Sequence, residues 1–334
     1  MTTFYYLFGK FNDQDIDWLV GAGSRNNVPA GQILIHTGQP VKWFYITLSG
    51  RFRVMSGDKL IGSIAPGEAI GELSFLGAQP PSVTVVAAED CVVVSFSAKR
   101  LRTKLRFDQG FASRFYHALA IMLAVRLRRS GRLMAMLLST TQGGSSEPMP
   151  SLLSTTQGDS NEPIPSPLSD ELSLLSMLGQ LGARVNLPAN ATLMGPEQPT
   201  DQFYVTISGW FLVTVQQQLV AYIGPNEAVG ELCMLDGLPP DATVTASEDC
   251  VVLSVAVSEL REQLRVDRLA AGRFYLALGV LLASRVRQST KILSRGNFKD
   301  HTVSMREQIP PMLLDDTTLA GARFDEFRRD MLES

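Results

Sequence analysis

The second half of this 334-residue chain repeats the first at a fixed offset of 159. Pro29 matches Pro188, Gly50 matches Gly209, and Gly71-Glu72 matches Gly230-Glu231. Cys91 matches Cys250, and Arg114-Phe115-Tyr116 matches Arg273-Phe274-Tyr275. No gap is needed from Val28/Leu187 to Arg128/Arg287. A register held through turns as well as apolar runs marks a tandem duplication, so the chain must fold as two copies of one unit. Each copy is long enough to bury its own core.

Within a copy the pattern changes once. Short segments rich in apolar and β-branched residues come first, among them "QILIH", "WFYITLSGRFRVM", "KLIGSI", "SVTVVAA" and "CVVVSF". Pro-Ala-Gly, Ser-Gly and Pro-Gly turns punctuate them, the pattern of a small antiparallel barrel or jelly roll. "FYITLSGRFRV" predicts a hairpin turning at Ser49-Gly50, where glycine tolerates positive φ. From Lys99 to about Met136 the spacing becomes helical, with Phe111, Phe115, Leu119, Met122 and Leu127 on one face. The second copy predicts the matching helix from about Glu259 to Leu293.

The fold class is therefore α+β: two tandem β-jelly-roll barrels, each followed by a long amphipathic α-helix. The expected domains are 1–136 and 167–295, with a tail over 296–334. Between the domains lies a smaller duplication, "LLSTTQGGSSEPMPS" followed by "LLSTTQGDSNEPIPS". Rich in Ser, Thr, Gly and Pro, residues 137–166 read as a flexible linker. A linker of that kind reaches roughly 35 Å, enough for the two units to dock face to face.

Composition narrows the function. The chain is 45% hydrophobic and 19% charged, with net charge −3, which points to neither a nucleic-acid nor a membrane partner. The longest unbroken apolar run, Ala118 to Val125, is far short of the ~20 residues that cross a bilayer. The three cysteines, Cys91, Cys233 and Cys250, make an odd count without metal-site spacing, in keeping with a cytoplasmic protein. His36, His117 and His301 are scattered, and no nucleophile–base pair or metal set is visible. A non-enzymatic protein is expected, with no catalytic or metal-ligating residues.

The candidate site is the doubled segment "PGEAIGELSFL" and "PNEAVGELCML" with the prolines and β-branched residues that follow. Gly71 and Gly230 allow a close backbone approach. The turn after each, "ELSFL" or "ELCML", reads as a short helix whose first N–H groups suit an anion. Barrel, "G-E-x-x-G-E-L-x-x-L…P-x-x-x-T-V" element and trailing helix together resemble the cyclic nucleotide-binding domain. That module is shared by catabolite-activator-type transcription factors, protein kinase A regulatory subunits and cyclic-nucleotide-gated channels. The resemblance covers about residues 5–136 and 165–293.

The resemblance implies a phosphate-binding cassette built from Gly71, Glu72, Leu73, Ser74, Ser82, Val83 and Thr84 in the first copy. In the second copy it implies Gly230, Glu231, Leu232, Cys233, Ala242 and Thr243. Glu72 and Glu231 would accept from a ribose 2′-hydroxyl, and the ligand would be cyclic AMP, cyclic GMP or another small anionic nucleotide. The family's cassette also carries an arginine that clamps the phosphate. "PPSVTV" and "PPDATV" place Pro81 and Pro240 at that position. Loss of such a charge-assisted contact costs about a hundredfold or more in affinity. Asp241 adds a carboxylate beside the second phosphate position, where Ser82 is neutral, so the first pocket is the better anion site. Three readings of the cassettes stand: ordinary cyclic nucleotide binding, a pocket altered for another small molecule, and a structural turn in an interaction module.

Lys99 to Arg132 holds ten basic residues and one acid, and Ser258 to Lys291 holds seven and three. Such helices serve either as solvated faces or as contacts for an acidic partner, an anionic surface or nucleic acid. Their apolar stripes suggest an intrachain pseudo-dimer or a homodimer, with Phe115, Leu119 and Met122 against Phe274, Leu278 and Leu281. The tail is more acidic than basic and too short for a DNA-reading module, so sequence-specific DNA binding is not expected. Its "LDDTTLAGARFDEFRRDML" predicts a helix capped at Asp315–Thr317, with Leu319, Phe324, Phe327 and Met331 as an apolar face. That helix folds back on a barrel or docks a partner. The reading is a regulatory or adaptor protein with degenerate or altered pockets. The alternative is a scaffold that binds an acidic partner or anionic surface and no small molecule.

Overall fold

A computed structural model describes residues 6–77, 79–141, 172–198, 200–295 and 314–333. Helices α1 (Tyr6–Lys10) and α2 (Asp13–Ala22) come first. The Asn12 side chain accepts from the Asp15 N–H at 3.0 Å, and the Asp15 carboxylate accepts from the Asn12 N–H at 2.9 Å, a reciprocal cap that starts α2. Eight strands follow: β1 (Ser24–Val28), β2 (Ile33–Ile35), β3 (Trp43–Ser49), β4 (Phe52–Ser56), β5 (Lys59–Ile64), β6 (Ala69–Ile70), β7 (Thr84–Ala87) and β8 (Cys91–Ser97). A short helix, α3 (Glu72–Gly77), interrupts them after β6. They form two four-stranded antiparallel sheets in the orders β1-β8-β3-β6 and β2-β7-β4-β5. Helices α4 (Ala98–Phe107) and α5 (Gln109–Thr141) complete the first repeat.

The second repeat has α6 (Leu172–Leu181), then β9 (Ala183–Leu187), β10 (Thr192–Met194), β11 (Gln202–Ser208), β12 (Phe211–Val215), β13 (Gln218–Ile223), β14 (Ala228–Val229), β15 (Thr243–Ala246) and β16 (Cys250–Ala256). Helix α7 (Glu231–Asp236) follows β14, and α8 (Val257–Val266) and α9 (Arg268–Arg295) follow β16. The sheet orders are β9-β16-β11-β14 and β10-β15-β12-β13, the same as in the first repeat. Every element from α6 to α9 begins 159 residues after its counterpart. The two-barrel, helix-trailed fold read from the sequence is the fold observed.

Alternation fills each barrel. Val28, Ile35, Phe52, Ile64, Ile70, Val85, Ala87, Cys91 and Val93 make one core, and Met194, Tyr204, Phe211, Ile223, Val229, Val244, Ala246, Cys250 and Val252 make the other. The predicted hairpin at Ser49-Gly50 is absent. β3 pairs with β6 and β8, whereas β4 pairs with β5 and β7, so Gly50 turns the corner from one sheet to the other. Its φ is +79°, and a side chain there would run into Cys91 Sγ and the Asp90 carbonyl. The true hairpins join β4 to β5 through Gly57-Asp58 and β12 to β13 through Gln216-Gln217. The latter two take φ of 49° and 65°, matching the twist of the strands they join.

The predicted long helix is broken once in each repeat, at Asp108 and at Asp267. Asp108 closes α4 through its own N–H to the Lys104 carbonyl, and its carboxylate accepts from the Phe111 N–H at 2.8 Å to open α5. Asp267 does the same for α9, accepting from the Leu269 and Ala270 N–H groups. One short acid thus satisfies orphan groups of two helices at a corner. Helix α5 continues to Thr141, into the segment read as a linker, and the rest of that segment lies outside the described residues.

Contacts divide the chain into two compact units, residues 1–123 with 293–334, and residues 124–292. In the first, Phe115 of α5 packs among Phe11, Phe44, Phe75 and Phe111. Arg114 holds the buried Asp15 of α2 with two bonds of 2.6 and 2.8 Å. In the second, Phe274 of α9 packs on Phe203 of β11. Among the described residues one helix, over Arg268–Ser294, is long and apolar enough to cross a membrane. Its Phe274, Leu278 and Leu282 are fully buried in the protein, as befits a core helix.

The tail helix α10 (Leu314–Glu333) packs on α1 and α2 and is joined to β1 through Arg25. Phe324 and Phe327 each lie 5.2 Å from the ring of Phe8, and Ala320 and Met331 are buried beside them. Leu319, assigned to this face from the sequence, is 48% exposed on the other side. Arg25 Nη1 donates to the Leu332 carbonyl at 2.9 Å and offsets the negative helix end. The helix begins at Leu314, so Asp315–Thr317 lies within it and does not precede it as a cap.

Phe327→Ala is expected to destabilise the first unit by about 3–5 kcal/mol, the usual cost of emptying a buried phenylalanine site, whereas Leu319→Ala is expected to be near neutral. Urea titrations of the two variants check this. The Asp108 carboxyl is held below its usual range, first by the Lys104 ammonium and then by the Phe111 N–H. A depressed carboxyl contributes stability above its unfolded value and loses it as pH falls through the folded one. The stability gap between wild type and Asp108→Asn should therefore be full at pH 7 and close in strong acid. Asn retains the cap acceptor, so a gap unchanged by acid would assign it to something other than this charge.

Candidate functional site

Each cassette is the passage from β6 through α3 to β7, or from β14 through α7 to β15. Gly71 and Gly230 stand at the entrance with φ of +91° and +85°. A Cβ at Gly230 would lie 2.7 Å from the Gln202 carbonyl oxygen, and one at Gly71 would lie 3.0 Å from that of Trp43. The neighbouring strand passes so close that only glycine fits, whether or not a ligand is present. The first helical turns close by bonds from the Phe75 and Met234 N–H groups to the Gly71 and Gly230 carbonyls, at 2.9 and 3.0 Å. The far ends are held by arginines of α4 and α8. Arg102 Nη2 donates to the Phe75 carbonyl at 3.2 Å with its guanidinium 4.7 Å over the Phe75 ring, and Arg261 Nη2 donates to the Met234 carbonyl at 2.8 Å.

The two glutamates of the site, Glu72 and Glu231, are both buried. Glu231 Oε1 is paired with Arg285 Nη1 of α9 at 2.7 Å, while Arg285 Nη2 reaches Glu227 at 2.8 Å and the Ala228 carbonyl at 2.9 Å. Burial pushes the Glu231 carboxyl up, against the pull of the Arg285 guanidinium. Burial would pull Arg285 down, but Glu231 and Glu227 hold it above its ordinary value. A ligand hydroxyl arriving at Glu231 would thus share its carboxylate with a cation of the protein's own trailing helix. The sequence reading missed Arg285, although two acids four residues apart at a buried turn imply a nearby cation.

A second arginine, Arg128 of α5, enters the same cassette from the other end. It is 5% exposed at the side chain, and it holds the fully buried Asp236 through Nε at 2.6 Å and Nη2 at 3.1 Å. Nη1 donates to Asp241 at 2.7 Å and to the Pro239 carbonyl at 3.2 Å, and Nη2 reaches the Leu238 carbonyl at 3.4 Å. Arg132 Nε adds a bond of 2.9 Å to Asp241. Burial alone would lower Arg128, and Asp236 with Asp241 more than offsets it and holds the guanidinium charged. Cys233, 3.6 Å from Arg128 Nη2, has its thiol pushed up to about 11 by burial, so it stays protonated at neutral pH. Asp241, read as a repulsive neighbour for phosphate, therefore has its charge met by two guanidinium groups.

The first cassette has Gly77 and Ser82 where the second has Asp236 and Asp241. Pro81 is buried and its carbonyl accepts from the Gly38 N–H at 2.9 Å. Thr84 Oγ1 lies 3.0 Å from Thr37 Oγ1 and accepts from the Thr37 N–H at 3.3 Å. Ser82 is exposed, while Leu73, Ser74, Val83, Leu232, Cys233, Ala242 and Thr243 are half-buried. Pro240 is buried like Pro81. The named residues thus gather into two separate cassettes. Among the described residues no group of three or more His, Cys, Asp or Glu side chains could hold a metal ion.

The positive charge noted in the helices is largely committed. Lys104 pairs with Asp108, Arg114 with Asp15, and Arg128 and Arg132 with the second cassette. Lys99, Arg100 and Arg106 are exposed on α4, next to Phe107, which is 79% exposed, and Arg100 donates to the Gly21 and Ala22 carbonyls at 3.2 and 3.4 Å.

A family model for the cyclic nucleotide-binding domain matches this chain twice, at residues 25–106 and 184–267. An uncharacterized NTE family protein of Mycobacterium tuberculosis is 30% identical over 118 residues, covering 35% of this chain and 20% of that protein. The cAMP-dependent protein kinase regulatory subunit of Yarrowia lipolytica is 25% identical over 243 residues, 72% of this chain and 54% of that one. The chain thus spans between a fifth and about half of these relatives' lengths. A solved structure of the regulatory domain of Toxoplasma gondii PKA with cAMP aligns over 77% of this chain and 87% of that one, at 16% identity and a TM-score of 0.30.

Gly230→Ala should cost the second unit about 2 kcal/mol or more, from the left-handed backbone and the collision with the Gln202 carbonyl together. Gly77→Ala, with open space around it and no positive φ, should be close to neutral. Thermal unfolding of the pair checks the contrast, and equal losses would refute it.

Proposed function

This chain belongs to the cyclic nucleotide-binding domain family, of which it holds two copies in tandem, and we propose that it is a non-enzymatic, cytoplasmic regulatory protein that reports a small anionic nucleotide. Cyclic AMP and cyclic GMP are the first ligands to test, bound through Gly71, Glu72, Leu73 and Ser74 with Ser82, Val83 and Thr84. The domains are taken as 1–136 and 167–295. The observation that carries the regulatory reading is the wiring of cassettes to helices. Arg102 and Arg261 bind the ends of the cassette helices, and Arg285 binds Glu231. In the first cassette an incoming ribose or phosphate disturbs the turn that Arg102 holds, so occupancy shifts α4, and a protein partner reads that shift.

A second reading is supported by the exposed Lys99, Arg100, Arg106 and Phe107 of α4, which suit an acidic partner with an apolar anchor. In that case the protein is a scaffold with no small-molecule ligand. Calorimetry and thermal shift with cyclic AMP, cyclic GMP and cyclic dinucleotides separate the two. Ligand at a hundred times its dissociation constant adds about 2.7 kcal/mol of stability, and Glu72→Ala should abolish that gain. No gain with any of them, together with partner binding lost on charge reversal at Lys99, Arg100 and Arg106, would select the scaffold.

A further inference from the structure

The Asp236–Asp241 loop has its own resident ligand. A guanidinium carries five N–H donors in a rigid fork, and all five of Arg128 are met. Nε and one Nη2 hydrogen take the two oxygens of Asp236. Nη1 takes Asp241 and the Pro239 carbonyl, and the remaining Nη2 hydrogen faces the Leu238 carbonyl and Cys233 Sγ. The loop is itself shaped for this. Gly237 ends α7 in the left-handed conformation, with φ of +68° and its N–H on the Cys233 carbonyl, and the Leu238 N–H steadies Asp236 at 3.0 Å. Two carboxylates and two carbonyls therefore converge on one planar cation, in a place where both partners are almost wholly removed from water.

We propose that the second cassette is a guanidinium-receiving site, filled in cis by Arg128, and that it consequently takes no anionic ligand. The two loops share one backbone course and differ in charge at two positions. Asp236 and Asp241 stand where the first copy has Gly77 and Ser82, and the first copy has no carboxylate at either place. An anion entering the second cassette would meet two carboxylates whose charge is already balanced. To pair with Arg128 it would have to leave the buried Asp236 uncompensated, the expensive way to break an ion pair. The ligand of the chain, on the reading proposed above, is bound once per chain and by the first copy.

Chemical rescue tests this without any nucleotide. Arg128→Ala should lower the melting temperature of the second unit by about 10 °C, since it strands the buried Asp236 carboxylate. Millimolar ethylguanidinium, which restores the fork, should recover a large part of that loss, whereas ethylammonium at the same concentration should not. Adding Asp236→Asn to Arg128→Ala should remove the rescue. If Arg128→Ala does not fold alone, refolding it in the presence of ethylguanidinium or ethylammonium carries the same comparison. Absence of rescue, or equal rescue by the two cations, overturns the proposal. Calorimetry of the full chain with cyclic AMP and cyclic GMP supplies the second arm. One site that survives Asp241→Ser and is lost with Glu72→Ala supports the proposal, and two sites per chain overturn it. If neither nucleotide binds, the function proposed above fails, and the rescue result alone decides the guanidinium site.

Discussion

A guanidinium taken out of water has to find carboxylates, and the second cassette is organised around that requirement. Arg285 meets Glu231 and Glu227 at its entrance, and Arg128 meets Asp236 and Asp241 at its exit. Such pairs add little net stability compared with a well-packed apolar core, because the desolvation of both partners offsets most of the attraction. Their effect is on specificity of arrangement. A helix one residue out of phase would strand a buried charge at a cost of several kcal/mol, so α5 and α9 have one register against α7. The cassette turn, the trailing helices and the strands beneath them are consequently fixed together.

The two repeats show how far chemistry can drift while a backbone stands still. Strand bounds, sheet orders and even the helix break at Asp108 and Asp267 coincide at the common offset. Glycines at sheet corners and cassette entrances recur because a neighbouring backbone leaves no space for a side chain, a constraint that polar substitution nearby does not touch. What differs is the polar content of the loop. Thr206 Oγ1 bonds the Gly224 and Glu227 carbonyls, whereas Thr47, its counterpart, has an unpartnered hydroxyl in the same buried position. The acid pair at the second cassette has no equivalent in the first. Core packing preserves the barrel, and loop side chains decide what it holds.

Much of the fold was legible because it rests on local patterns that occur twice. The offset, the β-branched runs and the helical spacing of Phe111, Phe115 and Leu119 are written in neighbouring letters. The turn at Gly50 was misread because a glycine between two strands looks the same whether it closes a hairpin or crosses between sheets. Only long-range pairing of β3 with β8 and β4 with β7 distinguishes them. The cassettes were found by their Gly-Glu pairs, yet the partners that define their electrostatics were not. Arg128 lies 108 residues from Asp236, and no spacing rule links them. The hint was indirect: two acids in one copy only, at a place that burial would not leave uncompensated.

The docking of α10 on α1 and α2 has a consequence for how the protein is made. Phe8 leaves the ribosome before any part of the second unit, and Phe324 and Phe327, which cover it, leave after that unit is complete. The unit that holds Phe8 is therefore finished only after the whole of the other has been synthesised. A nascent chain carries an open phenylalanine patch throughout that interval. Premature termination anywhere before Phe324 leaves the patch bare, a state that quality control recognises by its exposed apolar surface.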